Sequence, residues 1–134
     1  MIKNTNVKGF TLIEIMITVS IVLILASIGV PIYKGYLTDA RLNLAKQNLK
    51  SIYLAESNYY FENNKYFYGG NTCDDHSASI QSILFNGENN ISSENFTFCI
   101  VKNNEGYQAT ASQKNGNIKV SIDHLNNLTY TKNN

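Results

Sequence analysis

An α+β protein, with one long N-terminal α-helix and a C-terminal antiparallel β-sheet of about four strands, is the architecture this sequence predicts. Three observations carry it. The segment 15–33 is nineteen residues without a charge, and a membrane-spanning helix takes about 20 apolar residues. Helix formers then continue to about Asn63, with apolar residues recurring at three- and four-residue steps. The last third breaks into four short runs of strand-forming residues separated by asparagine and glycine.

The first element is a polar leader, residues 1–9, which carries Lys3 and Lys8. Positive flanks stay on the cytoplasmic side, so everything after Tyr33 is expected to face outward. A secretory signal peptide is cut after its apolar region, at small residues. Here Gly9 precedes the apolar region instead. A cut after Gly9 would discard both leader lysines and leave a product that begins at Phe10 with its anchor intact.

Residues 10–33 form the second element, a transmembrane helix with one misplaced carboxylate. An acidic side chain at the bilayer centre costs on the order of 2.5 to 3.5 kcal/mol on insertion scales. Glu14 is therefore a functional-site candidate by default. The bland reading is a single-pass anchor whose glutamate lies near the interface. Gly29 and Pro31 mark an expected kink, because proline removes a backbone donor and crowds the preceding turn. Both residues are also ordinary members of membrane helices.

The run Lys8-Gly9-Phe10-Thr11-Leu12-Ile13-Glu14, with Gly29 and Pro31-Ile32-Tyr33 further along the apolar helix, resembles the N-terminus of type IV pilins, specifically the type IVa branch. That resemblance implies a prepilin peptidase that cuts after Gly9 and N-methylates Phe10. It also implies that Glu14 neutralises the N-terminal amine of a neighbouring subunit during assembly. A carboxylate in an apolar bundle is tolerable when an opposite charge accompanies it. The fold it implies is the lollipop of that family.

Residues 34–134 are expected to form one globular head. After the leader and membrane segment, about 100 residues remain, near the usual single-domain size. Leu42, Ala45, Leu49, Ile52, Tyr53 and Tyr60 form one stripe that should face a sheet, with Arg41, Lys46 and Lys50 largely elsewhere. A helix over 10–62 would span roughly 80 Å. The aromatics Tyr53, Tyr59, Tyr60, Phe61, Tyr66, Phe67 and Tyr68 read as core and helix-to-loop packing. A short helical piece is expected over 79–84, and strands over 96–101, 107–113, 118–123 and 128–131. The turns between them are Asn103-Asn104-Glu105-Gly106, Asn115-Gly116 and Asn126-Asn127, with Asn115-Gly116 read as a type I′ hairpin signal.

Cys73 and Cys99 are the two cysteines. An exterior domain meets an oxidising compartment, so a disulfide is expected, worth roughly 3 kcal/mol in the chain-entropy model. Buried free thiols, or a metal site with Asp74, Asp75 and His76, are the alternatives. Those flanking residues lack a recognised ligand spacing. In many type IV pilins the bridge encloses the extreme C-terminal region, and this chain departs from that pattern.

Little here points to catalysis. His76 and His124 are isolated in sequence and read as exposed polar residues, and no G-x-S-x-G, H-E-x-x-H or phosphate-loop motif occurs. Two acids, Asp74-Asp75, fall short of the oxygen ligands calcium needs. Three glycosylation-like triplets start at Asn90, Asn95 and Asn127, matches expected by chance in a chain rich in asparagine. The formal charge of +1 names no partner, and a basic run that would announce nucleic-acid binding is absent.

The expected function is a structural subunit of a type IV pilus, with no enzymatic activity and no cofactor. By resemblance, its partners are a prepilin peptidase, other pilin subunits in a helical homo-polymer, an inner-membrane assembly platform, motor ATPases and an outer-membrane secretin. The subunit would sit in the inner membrane, head in the periplasm, before it enters an extracellular fibre. Adhesion, twitching motility and DNA uptake are the roles open to such a fibre, with DNA or a host-surface receptor as ligand. The alternatives are a pseudopilin of type II secretion and a minor pilin that primes or tips the fibre. A membrane-anchored enzyme would need turnover that depends on His76, His124 or Asp123.

Overall fold

A computed structural model of the chain describes residues 9–104 and 106–132. Six elements follow one another: α1 (Leu12–Asn63), α2 (Ser77–Leu84), β1 (Phe96–Asn103), β2 (Gly106–Gln113), β3 (Ile118–Asp123) and β4 (Leu128–Lys132). This is the α+β architecture that the sequence predicts, one long helix followed by an antiparallel sheet. Two compact units divide the chain, Met1–Asp39 and Ala40–Asn134.

In the first unit the described residues are helical from Leu12 onward, and the helix continues through Gly29 and Pro31. Its apolar side chains over residues 12–33, among them Ile15, Val22, Leu25 and Ile28, are exposed. The segment is long and apolar enough to cross a membrane. Several of its serine and threonine hydroxyls are satisfied by its own backbone. Thr18 Oγ1 donates to the Ile15 carbonyl at 2.9 Å, Ser20 Oγ to Met16 at 2.7 Å and Ser27 Oγ to Ile24 at 2.7 Å. Back-bonding of this kind removes the cost that a free hydroxyl would carry in hydrocarbon.

The second unit is built on a four-stranded meander of order β1-β2-β3-β4, antiparallel throughout. Ala45, Leu49 and Ile52 of α1 are buried in one core with Phe98 and Ile100 of β1, Tyr107, Ala109 and Ala111 of β2, and Val120 and Ile122 of β3. Ala109 and Ala111, on the inner strand β2, are fully buried. Of the expected stripe, Leu42 and Tyr53 pack partly buried against this core, but Tyr60 is 44% exposed. Asn48 and Glu56, at helical spacing from Leu49 and Ile52, take buried positions on the stripe.

α1 stops just before Asn64, which is left-handed (φ 53°) and whose N–H still donates to the Tyr60 carbonyl at 2.8 Å. Asparagine tolerates that region because its short side chain bonds locally. The aromatics around this end do pack on one another. Tyr60 stacks on Tyr66 with ring centroids 4.5 Å apart, and Tyr66 lies 5.0 Å from Tyr107. Phe61 departs from the expectation, since it is 89% exposed.

Residues 69–77 cover the outer edge of β1. Gly69 N–H donates to the Ile100 carbonyl at 3.0 Å, His76 N–H to the Phe98 carbonyl at 2.8 Å, and Ser77 Oγ accepts from the Phe98 N–H at 3.1 Å. The Cys73–Cys99 disulfide, with Cα atoms 5.2 Å apart, fastens the same loop to the strand. Paired in this way, β1 offers no free backbone along these residues to another chain. β4, at the other side of the sheet, is mostly exposed.

The hairpins sort differently from the sequence reading. The tightest is between β1 and β2, where Asn103 pairs with Gly106 and Asn104 is left-handed (φ 42°). Asn115-Gly116, expected to form a type I′ turn, instead sits in a four-residue connection between Gln113 and Ile118, and neither residue has a positive φ. A type I′ turn needs φ above zero at both central residues. The connection is held from outside, by the Lys114 N–H on the Asn95 carbonyl at 3.0 Å.

Candidate functional site

The residues singled out for processing and assembly converge on the start of α1. The leader with Lys3 and Lys8 lies outside the described residues. Gly9 and Phe10 are exposed and not helical, and a Cβ added at Gly9 would meet nothing within 4 Å among the described residues.

Thr11 and Glu14 close the helix start by a reciprocal arrangement. Glu14 Oε2 accepts from the Thr11 backbone N–H at 2.7 Å and from the Thr11 hydroxyl at 2.7 Å, while the Glu14 N–H reaches Thr11 Oγ1 at 3.4 Å. This is a capping box, with threonine at the N-cap and glutamate three residues on. It satisfies two amides that a helix N-terminus otherwise leaves open. The carboxylate also lies at the positive end of the helix dipole. Sequence reasoning found Glu14 through its burial cost and missed its partner, although T-x-x-E before an apolar run is a legible capping signal.

In the second unit the sequence-flagged polar residues serve the fold. Asp123 Oδ1 accepts the Leu125 N–H at 3.0 Å and the Asn127 N–H at 2.8 Å, and Oδ2 takes the Asn127 amide at 2.9 Å. Slight burial works against its ionised form, yet these donors outweigh it and hold its carboxyl below the usual range. Asp75 accepts both the Ser77 hydroxyl at 2.5 Å and the Ser77 N–H at 3.1 Å, and its carboxyl is likewise held low, first by that hydroxyl. Asp74 takes the Thr72 hydroxyl at 2.5 Å.

The two histidines are not exposed polar residues, as the sequence suggested; both are half-buried. His76 Nδ1 accepts from the Ile100 N–H at 3.4 Å, and its ring lies so close over Gly69 that an added Cβ would fall 2.2 Å from Nδ1. His124 covers Gly106 in the same manner. Among the described residues, no group of three or more His, Cys, Asp or Glu gathers to hold a metal ion.

One interior group escaped the sequence reading altogether. Glu56 is fully buried; its Oε2 accepts the Phe67 N–H at 3.0 Å, while Oε1 and the buried Tyr107 hydroxyl have no hydrogen-bond partner among the described residues. Burial pushes the Glu56 carboxyl up to about 7, against the opposing pull of the Phe67 N–H. Burial, and then Glu56 itself, raises Tyr107. The bond to Phe67 ties the chain that leaves α1 back to the helix, so Glu56 is a structural group of the core.

Comparison with known proteins finds a family match at the N-terminal end and several similar proteins. Residues 4–30 match the prokaryotic N-terminal methylation motif. The chain is 40% identical over 63 residues to the type IV major pilin protein PilA of Myxococcus xanthus, an alignment that covers 47% of this chain and 29% of that protein. It is 40% identical over 63 residues to a type IV major pilin protein PilE1 of Neisseria gonorrhoeae, covering 47% and 38%. Over 35 residues it is 51% identical to prepilin peptidase-dependent protein D of Escherichia coli, covering 26% and 24%. The chain therefore spans well under half the length of these relatives. The motif and the relatives together support a type IV pilin.

Proposed function

We propose that this chain is the structural subunit of a type IV pilus, made as a membrane-anchored precursor, cut after Gly9, N-methylated at Phe10 and polymerised into a helical fibre. The observation that carries the reading is the methylation motif over residues 4–30 coinciding with an apolar, membrane-length helix that begins in the Thr11–Glu14 box. A chain whose anchor survives processing can exchange lipid for its own copies. Burial of residues 10–33 against the same segments of neighbours offsets extraction from the bilayer, and repetition of one head-to-tail contact gives an open helix.

In this reading residues 1–9 are the leader, 10–33 the filament-core helix and 34–134 the head. Glu14 pairs with the amine of a neighbour's Phe10 and sets the register of assembly. Gly29 and Pro31 supply a place where the helix can bend within the fibre. The subunit waits in the inner membrane with its head in the periplasm, and a prepilin peptidase, an assembly platform, motor ATPases and a secretin act on it in turn. The fibre then serves adhesion, twitching motility or DNA uptake.

Mass spectrometry of the N-terminal peptide tests this directly, on sheared surface fibres and on the membrane fraction in parallel. A methylated peptide that begins at Phe10 in the sheared fraction is the expected result. The same peptide confined to membranes would favour a pseudopilin, and an intact leader in both fractions would overturn the proposal.

A further inference from the structure

The chain carries two Asn-Gly pairs, Asn86-Gly87 and Asn115-Gly116, and the fold puts them in opposite chemical circumstances. An asparagine followed by glycine can close on itself, because glycine lets the following backbone nitrogen approach the side-chain carbonyl without steric interference. Whether it does depends on two things: a free nitrogen and a backbone able to bring it in.

At the first pair both are withheld. The Gly87 N–H is spent on the Gln81 carbonyl at 2.9 Å, and Asn86 and Gly87 are both left-handed, with φ of 53° and 84°. That local geometry is pinned just past the end of α2 by a further bond, from the Glu88 N–H to the Phe85 carbonyl at 2.9 Å. The attacking nitrogen would have to break its hydrogen bond before it could react.

At the second pair the attacking nitrogen carries no hydrogen bond among the described residues, and the connection is tied at its first residue, by the Lys114 N–H on the Asn95 carbonyl. Residues 114–117 connect β2 to β3 and all are exposed. Among the described residues the Gly116 N–H and the Asn115 side chain make no hydrogen bond, and neither residue has a positive φ. The nearest side chain is that of Gln113, whose flexible amide end would lie 2.3 Å from a Cβ placed on Gly116. An exposed connection with so few bonds samples more backbone conformations than the strands it joins.

We propose that Asn115 is a site of spontaneous deamidation in the folded protein and that Asn86 is protected from the same reaction. The Gly116 backbone nitrogen loses its proton to solvent base and attacks Cγ of Asn115. A C–N bond forms, the bond from Cγ to Nδ2 breaks, and ammonia leaves. Water then opens the resulting five-membered imide at either carbonyl, which gives aspartate or its β-linked isomer. No oxidation occurs, and water is the one co-reactant. The product places a new carboxylate between Lys114 and Lys119 in sequence. The ladder survives the change, because the β2–β3 pairing ends at Ser112 with Lys119, outside the altered loop.

The test uses the full chain in detergent micelles, aged at mildly alkaline pH and sampled by peptide mass spectrometry after reduction and digestion. Cleavage at Lys114 and Lys119 isolates Asn115 on a short peptide, and fragmentation separates it from Asn117. The expected result is a several-fold faster mass gain and isoaspartate signal at Asn115 than at Asn86, a rate that rises with pH, and near-equal rates at the two sites once the chain is denatured. Gly116→Ala should slow the reaction at Asn115 and leave the fold intact, because the Gln113 side chain can swing aside. Equal rates at the two sites in the folded chain would overturn the proposal, as would an Asn115 unchanged while Asn86 reacts. A disparity that persists in the denatured chain would show that sequence context, not the fold, makes the difference.

Discussion

Thr11 and Glu14 bond to each other in both directions, and the carboxylate of Glu14 takes two donors from Thr11 at 2.7 Å each. The one acid of the apolar segment is thus partnered within its own chain before any neighbour arrives. Capping of α1 is what these bonds do, and the proposed attraction of a neighbour's amine would be a second role for the same carboxylate. The substitutions Glu14→Val and Glu14→Gln separate them. Glutamine at this position still completes a capping box, but it carries no charge. If charge pairing drives assembly, both variants should be processed normally and both should fall out of sheared fibres. Fibre incorporation by Glu14→Gln at the native level would leave capping as the only role.

Gly9→Ser should block maturation and leave the precursor in the membrane. Among the described residues nothing lies within 4 Å of a Cβ at Gly9, so the added side chain meets no resistance from them. A block would therefore report on recognition by the peptidase and not on misfolding. Immunoblot mobility and the N-terminal peptide read the outcome, and efficient cleavage of the variant would move the cut elsewhere.

Much of the fold was legible because its signals are periodic. The uncharged run at 15–33, the stripe through Ala45, Leu49 and Ile52, and the four strands all follow from spacing, with strand ends off by two residues or fewer. The failures are tertiary. Asn115-Gly116 has the composition of a type I′ turn, yet its geometry is set by the Lys114 bond to Asn95, a partner nineteen residues away that no local rule can supply. His76 and His124 were read as surface residues because sequence does not show that Gly69 and Gly106 make room for their rings. Glu56 was invisible for the opposite reason. A glutamate in a helix reads as a solvated one, and only the fold reveals that it occupies an apolar position.

The stability of the head should depend on pH through Glu56. Its carboxyl titrates at about 7 in the folded protein against an ordinary 4.5. Between those values the folded state binds a proton that the unfolded state does not, so stability is highest below the lower value and is lost as pH rises through the upper one. The full effect is roughly 3 kcal/mol, an upper bound from the size of the shift. Thermal melts of the full chain in detergent should show a melting temperature that declines from mildly acid to mildly alkaline pH. Glu56→Gln should flatten that decline while its side-chain oxygen keeps the Phe67 bond. A variant that retains the wild-type slope would remove Glu56 as the cause.

Reduction of the Cys73–Cys99 bridge should loosen the cover on β1 before it unfolds the sheet. The bridge spans 26 residues in sequence, and closing a loop of that size is worth roughly 3 kcal/mol. The amides that hold the cover are those of Gly69 and His76, bonded to Ile100 and Phe98 on the strand edge. In a Cys73→Ser, Cys99→Ser double variant these two should lose hydrogen-exchange protection first, while Ala109 and Val120 in the sheet interior keep theirs. A free β1 edge is also a template for pairing with another chain, so the variant should aggregate more readily than the native protein at equal concentration. Uniform loss of protection across the sheet would instead mean that the bridge holds the whole head together and that the cover has no stability of its own.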